Sequence, residues 1–111
     1  MAPDNNAQGA LTEGVYFILV SMLQPRHGYA VMQYIAELTG GRVSLGAGTL
    51  YGAINTLLEK GWIRALPSPE DSRQKRYVIT ADGRSVLEGD IARLQQLVTI
   101  GQTEIEANKN D

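Results

Sequence analysis

Apolar positions Val15, Ile18, Leu19 and Met22 recur at helical spacing after Leu11. Thr12 is a natural N-cap ahead of them, and Pro25 stops the segment after Gln24. Gly14 inside it costs about 1 kcal/mol relative to alanine, too little to cancel the pattern. A second helix is predicted from about residue 27 to 39, with Tyr29, Met32, Ile35 and Ala36 tracing one face. Gly40 and Gly41 close it, as expected where the chain must enter positive φ. After a short turn-rich link, Leu50, Ile54, Leu57 and Leu58 fall at i, i+4, i+7 and i+8, which predicts a third helix from about 48 to 60, punctuated by Gly61. The period then changes. Residues 62–66 and 76–79 read as strands, and the polar, turn-forming stretch between them makes a β-hairpin with a long tip. Thr80 is placed to cap a last helix running from about 81 to 108.

Three helices, a hairpin and a further helix give a mainly α fold with a small β-hairpin. That order predicts a winged helix-turn-helix over residues 11–80, preceded by a flexible arm over 1–10 and followed by a C-terminal dimerisation helix over 81–108. In such a fold the third helix enters the major groove of DNA, which is wide enough for one helix. With its leucine and isoleucine stripe turned inward, that helix presents Gly48, Gly52, Asn55, Thr56 and Glu59, with Thr49 and Tyr51 on the flanks. Gly48 and Gly52 permit close approach, Thr49 and Tyr51 can donate to phosphate oxygens, and Asn55 can pair bidentately with adenine. A merely solvated helix would also be polar on that side, and Tyr51 is compatible with half-buried packing. The hairpin tip adds Arg73, Lys75 and Arg76, three cations within four residues on a projecting turn, well placed to cross a phosphate backbone. His27, at the start of the second helix, is within reach of phosphate.

Charge changes the picture less than it first suggests. The 111-residue chain carries a formal net charge of −2, which on its face disfavours a polyanionic partner. The charge is unevenly spread, however. Residues 26–84 are net positive, while residues 1–25 and 85–111 are net negative. Local sign matters more than the total for a bound polyanion. The acidic ends also motivate a different reading, a winged-helix protein-interaction module with no DNA target.

Several chemistries are excluded. There is no cysteine, so thiol catalysis, disulfides and zinc–thiolate sites are out. His27 is the single histidine and cannot make a His-based metal cage or a catalytic triad. Ser21, Ser44, Ser72 and Ser85 lack a nucleophile-elbow context. Glu70 and Asp71 stand side by side without the partners acid–base chemistry needs. The glycines from Gly46 to Gly52 follow a helix, not a strand, so they are no dinucleotide fingerprint. No enzyme activity and no cofactor are expected. The N-terminus lacks a signal-peptide pattern, and no apolar run approaches the ~18 residues of a membrane span. The expectation is a cytoplasmic protein.

The last helix carries Leu87, Ile91, Leu94, Val98, Gly101 and Ile105 at spacings of four and three, a heptad seam widened by Val86, Leu97 and Ile100. At about 1.5 Å per residue it extends roughly 40 Å, more than so small a domain can cover. A two-fold dimer is expected, with Leu87, Ile91, Leu94, Leu97, Val98, Gly101 and Ile105 at the interface. The other possibility is that the helix folds back over the first one. A small-molecule pocket near Tyr16, Leu94 and Leu97 could coexist with DNA binding.

Taken together, these residues resemble the PadR family of bacterial transcription regulators from about Leu11 to Leu97. The similarity rests on the sequence from Leu11 through Thr12 and Glu13 to Gly14, on Pro25, Arg26, His27, Gly28 and Tyr29, and above all on Gly48, Thr49, Leu50, Tyr51, Gly52 and Ala53. Leu57, Leu58, Glu59, Lys60 and Gly61, then Arg73, Arg76 and Tyr77, and finally Thr80 to Arg84 complete it. The resemblance implies a winged helix, a dimer built through the C-terminal helix, repression of nearby promoters and a small aromatic or lipophilic effector. It also implies that DNA is contacted by Thr49, Tyr51 and Asn55 and by Arg73, Lys75 and Arg76. Its single short C-terminal helix is similar to that of the smaller subfamily. Ala47 stands where many relatives have proline. Trp62 sits at the hairpin and the last helix has no tryptophan, which disfavours drug stacking between paired tryptophans.

Overall fold

The computed structural model describes residues 9–67 and 75–110. Helix α1 spans Glu13–Ser21. Thr12, extended at φ −66° and ψ 156°, caps it by accepting from the Val15 amide at 3.2 Å. The helix ends three residues before the expected Gln24, because Met22 turns out of helical geometry. This frees the Met22 carbonyl to accept from the Ile79 amide at 2.8 Å. A sheet contact thus outcompetes another half-turn of helix.

Next comes strand β1, Arg26–His27, which periodicity cannot reveal because two residues are too few to alternate. The predicted hairpin is therefore a three-stranded antiparallel sheet, β1–β3–β2, with β2 at Ile63–Leu66 and β3 at Arg76–Ile79. Arg26 pairs with Tyr77 and His27 with Arg76. Arg26 holds the short strand in place: its Nε donates to the Ser21 carbonyl at 2.7 Å, and its guanidinium lies 3.7 Å from the Tyr34 ring centroid. Both contacts suit a delocalised, planar cation.

Helix α2 spans Gly28–Leu38 and buries Gly28, Val31 and Ile35. Of the expected stripe Ile35 is buried and Met32 and Ala36 are half-buried, but Tyr29 is 64% exposed, and Gly28 and Val31 take the inward positions in its place. Both stripes satisfy a period of 3.6, and only packing chooses between them. Helix α3, Ala47–Lys60, follows the expected pattern, with Leu50, Ile54 and Leu57 buried and Leu58 half-buried. Gly61, at φ +76°, ends it in the left-handed conformation.

Helix α4 runs Ala81–Ala107. The Thr80 side chain accepts from the Gly83 amide at 3.1 Å and donates to the Gly61 carbonyl at 2.6 Å, so one hydroxyl caps α4 and ties it to the end of α3. Side chains from all four helices and from β2 and β3 meet in one core around Ile18, Leu19, Ile35, Ile54, Ile63 and Leu87.

Leu87 corrects the expected dimer seam. It is 3% exposed within the single chain, because the first turns of α4 pack against α1 and β3. The seam therefore divides: Leu87 belongs to the domain core, Ile91 and Leu94 are half-buried, and Leu97, Val98, Gly101 and Ile105 are exposed. Among the described residues no helix is long and apolar enough to cross a membrane.

Candidate nucleic-acid interface

The inward turn of Leu50, Ile54 and Leu57 leaves Gly48, Thr49, Gly52, Asn55, Thr56 and Glu59 exposed along α3. Beyond Gly48 and Gly52 lies open space: a Cβ added at either would meet nothing within 4 Å. Thr56 donates back to the Gly52 carbonyl at 3.2 Å, which engages its hydroxyl with its own helix. Thr49 and Asn55 are exposed and make no side-chain hydrogen bond to another of the described residues.

Tyr51 stands apart from this row. It is 43% exposed, and it lines a hollow of about 320 Å³ with His27, Tyr29, Gln33, Lys75 and Tyr77, between the start of α2, the flank of α3 and the start of β3. His27 Nδ1 lies 3.3 Å from the Lys75 carbonyl oxygen, and donates to it in the tautomer that carries the proton there. This contact joins the strand β1 edge to the root of the hairpin tip. Burial, followed by the nearby Tyr51 hydroxyl, raises the Tyr77 hydroxyl above its ordinary value. Tyr77 therefore keeps its proton at neutral pH and presents a neutral floor to the hollow.

The eight residues expected at a DNA surface separate into groups. Tyr51, Lys75 and His27 converge on the hollow, and Thr49, Gly52 and Asn55 lie along the open face of α3. Arg76 does not line the hollow, because it alternates along β3 with Tyr77, which does. Tyr77 is buried and Arg76 exposed, so Arg76 lies on the outer face of the sheet, which it shares with Arg64 of β2. Arg73 lies outside the described residues. Tyr29 and Gln33, which line the hollow, escape a reading of periodicity because Tyr29 fits an apolar stripe as well as Gly28 does.

Away from this face, Tyr16 and Leu94 lie together between α1 and α4 and line two adjoining hollows. Leu97 lines neither and is 53% exposed. Beside them Asp90, 6% exposed, accepts from Arg93 Nε at 2.9 Å and from the Leu11 amide at 3.4 Å. Sequence inspection gives no sign of this buried carboxylate, which occupies a polar slot between heptad positions.

Comparison with known proteins follows the same lines. An uncharacterized 37.1 kDa protein in a transposon of Streptomyces fradiae is 38% identical over 73 residues, which cover 66% of this chain and 20% of that protein. The match thus spans about a fifth of the length of that relative. A PadR family transcriptional regulator from Eggerthella lenta superposes with a TM-score of 0.72 at 25% identity, over 85% of this chain and 82% of that one. A transcriptional regulator from Clostridium thermocellum shares the fold, with a TM-score of 0.69 at 19% identity over 82% of this chain and 90% of that one. Residues 18–89, well over half of the chain, match the transcriptional regulator PadR-like family. The chain belongs to the transcriptional regulator PadR-like family, and its fold is that of a winged helix.

Proposed function

We propose that the protein is a sequence-specific repressor that binds a near-palindromic operator as a homodimer and is released by a small aromatic or lipophilic effector. The observation that carries the reading is the outward row of Thr49, Gly52 and Asn55 standing beside a hollow where Tyr51, Lys75 and His27 meet. Asn55 reads a base edge, Thr49 and Tyr51 hold phosphates, and Gly52 lets the α3 backbone approach. Lys75 supplies charge at the hollow and Arg76 extends the cationic surface along the sheet, and Arg73 is assigned a phosphate contact from its charge. Two copies of α3 about one helical turn apart, roughly 34 Å, would meet two half-sites on one face of the duplex. The effector is assigned to the apolar recess of Tyr16 and Leu94, where ligand occupancy would bear on how α4 sits against α1.

The test is a retardation assay with duplex carrying the protein's own promoter. Retardation at low salt is expected, and none at any salt would end the reading. Lys75→Ala should weaken binding to every sequence and reduce the salt slope by about one. Asn55→Ala should cost about 1–3 kcal/mol at one base position and leave non-operator DNA binding nearly unchanged.

A further inference from the structure

Gly28 opens α2 and is buried, yet nothing in its backbone asks for glycine, since its φ is not positive. Helix propensity would favour alanine there by up to about 1 kcal/mol. The space around it tells why the methyl group is absent. A Cβ on Gly28 would lie 2.5 Å from the Tyr51 hydroxyl oxygen, 2.8 Å from its Cζ and 3.0 Å from its Cε1. The outer half of the Tyr51 ring therefore occupies the place of a Gly28 side chain. These are the atoms of a half-exposed residue on the DNA-facing flank of α3, not of a core residue, so the glycine serves the surface rather than the core.

We infer that Gly28 is a positioning residue for DNA binding: it seats the Tyr51 ring so that the hydroxyl stands at the start of α2, in the same hollow as Lys75 and His27, where one backbone phosphate of the duplex is gripped. The inference rests on the DNA-binding reading above and deepens it. Tyr51 is the group that touches the phosphate, donating its O–H, and Lys75 adds charge from the residue just before β3. Gly28 touches no DNA and acts through Tyr51. Tyr77 lines the same hollow. A side chain at position 28 would swing the ring out toward solvent and separate the hydroxyl from Lys75.

The experiment is a double-mutant cycle of wild type, Gly28→Ala, Tyr51→Ala and the double variant. Each is titrated with promoter duplex across a salt series and melted without DNA. Gly28→Ala should weaken binding about 10-fold with the salt slope nearly unchanged, because the donor displaced is neutral and Lys75 remains, while melting no lower than wild type. In the Tyr51→Ala background, where the ring is gone, the same substitution should have no effect on binding. Should Gly28→Ala lower the melting temperature, its effect in that background measures the cost to the fold alone and is subtracted. Equal losses of affinity in both backgrounds, or undiminished binding by Gly28→Ala, would overturn the inference and leave DNA binding standing. Failure of the wild type to bind promoter duplex would overturn both.

Discussion

At Gly83 one absent methyl group decides how the last helix meets the sheet. A Cβ there would collide with the Trp62 carbonyl oxygen and approach Ile79 Cγ1 to 2.9 Å. The carbonyl cannot simply retreat, because it accepts from the Thr80 amide at 2.9 Å. Gly83→Ala should therefore force a backbone shift and destabilise the fold by about 1–3 kcal/mol, read as a lower melting temperature. A variant that melts with wild type would show that the first turn of α4 does not dock this closely. Thr80 announces itself in the sequence as a cap, and the structure bears this out. The need for glycine three residues later is hidden, because it depends on a carbonyl 21 positions away that only the folded chain brings near. Lys75 and Arg76 illustrate a related blindness: as a cluster they read as one cationic tip, whereas Lys75 lines the hollow beside Tyr51 and Arg76 lies on the outer face of the sheet.

The elements differ in how openly their sequences declare them. Helix α3 is plain, since only one of its faces is apolar enough to be buried. Helix α2 offers two overlapping stripes, and the true one includes a glycine that a hydrophobicity count ignores. Strand β1 is too short to carry a pattern and exists because β3 has an unpaired edge and Arg26 has two anchors. In α4 the heptad is real, but its first member serves the chain's own core. The same helix is tied to the segment just before α1 through Asp90, which accepts from Arg93 and from the Leu11 amide. Asp90→Ala removes a largely buried carboxylate and leaves that amide without its acceptor. It should cost about 1–3 kcal/mol in denaturant unfolding, and Asp90→Asn less. Equal stability of Asp90→Ala and wild type would mean that the Asp90 contacts add nothing to the packing of α4 on the start of the domain.

For the whole molecule, the far half of α4 is the feature that a single chain leaves incomplete. Leu97, Val98, Ile100 and Ile105 are 53%, 56%, 53% and 70% exposed. Burying what remains open on each is worth roughly 1 kcal/mol, so the eight side chains of two copies supply about 8 kcal/mol. Association itself costs on the order of 4–15 kcal/mol. The distal face alone is thus marginal, and a stable dimer would also engage the half-buried Ile91, Leu94 and Tyr16. Val98→Glu combined with Ile105→Glu should shift sedimentation to monomer and weaken operator binding about 100-fold or more through lost bivalency. A double variant that still sediments as a dimer would move the interface elsewhere.

The single tryptophan gives this architecture an internal reporter. Trp62 is half-buried, with Lys60 Nζ 5.1 Å from its ring centroid and its carbonyl bonded to Thr80. It thus stands at the joint between α3, the sheet and the long terminal helix. Its intrinsic fluorescence can follow unfolding, and any shift of these three parts on operator or effector addition, in unlabelled protein.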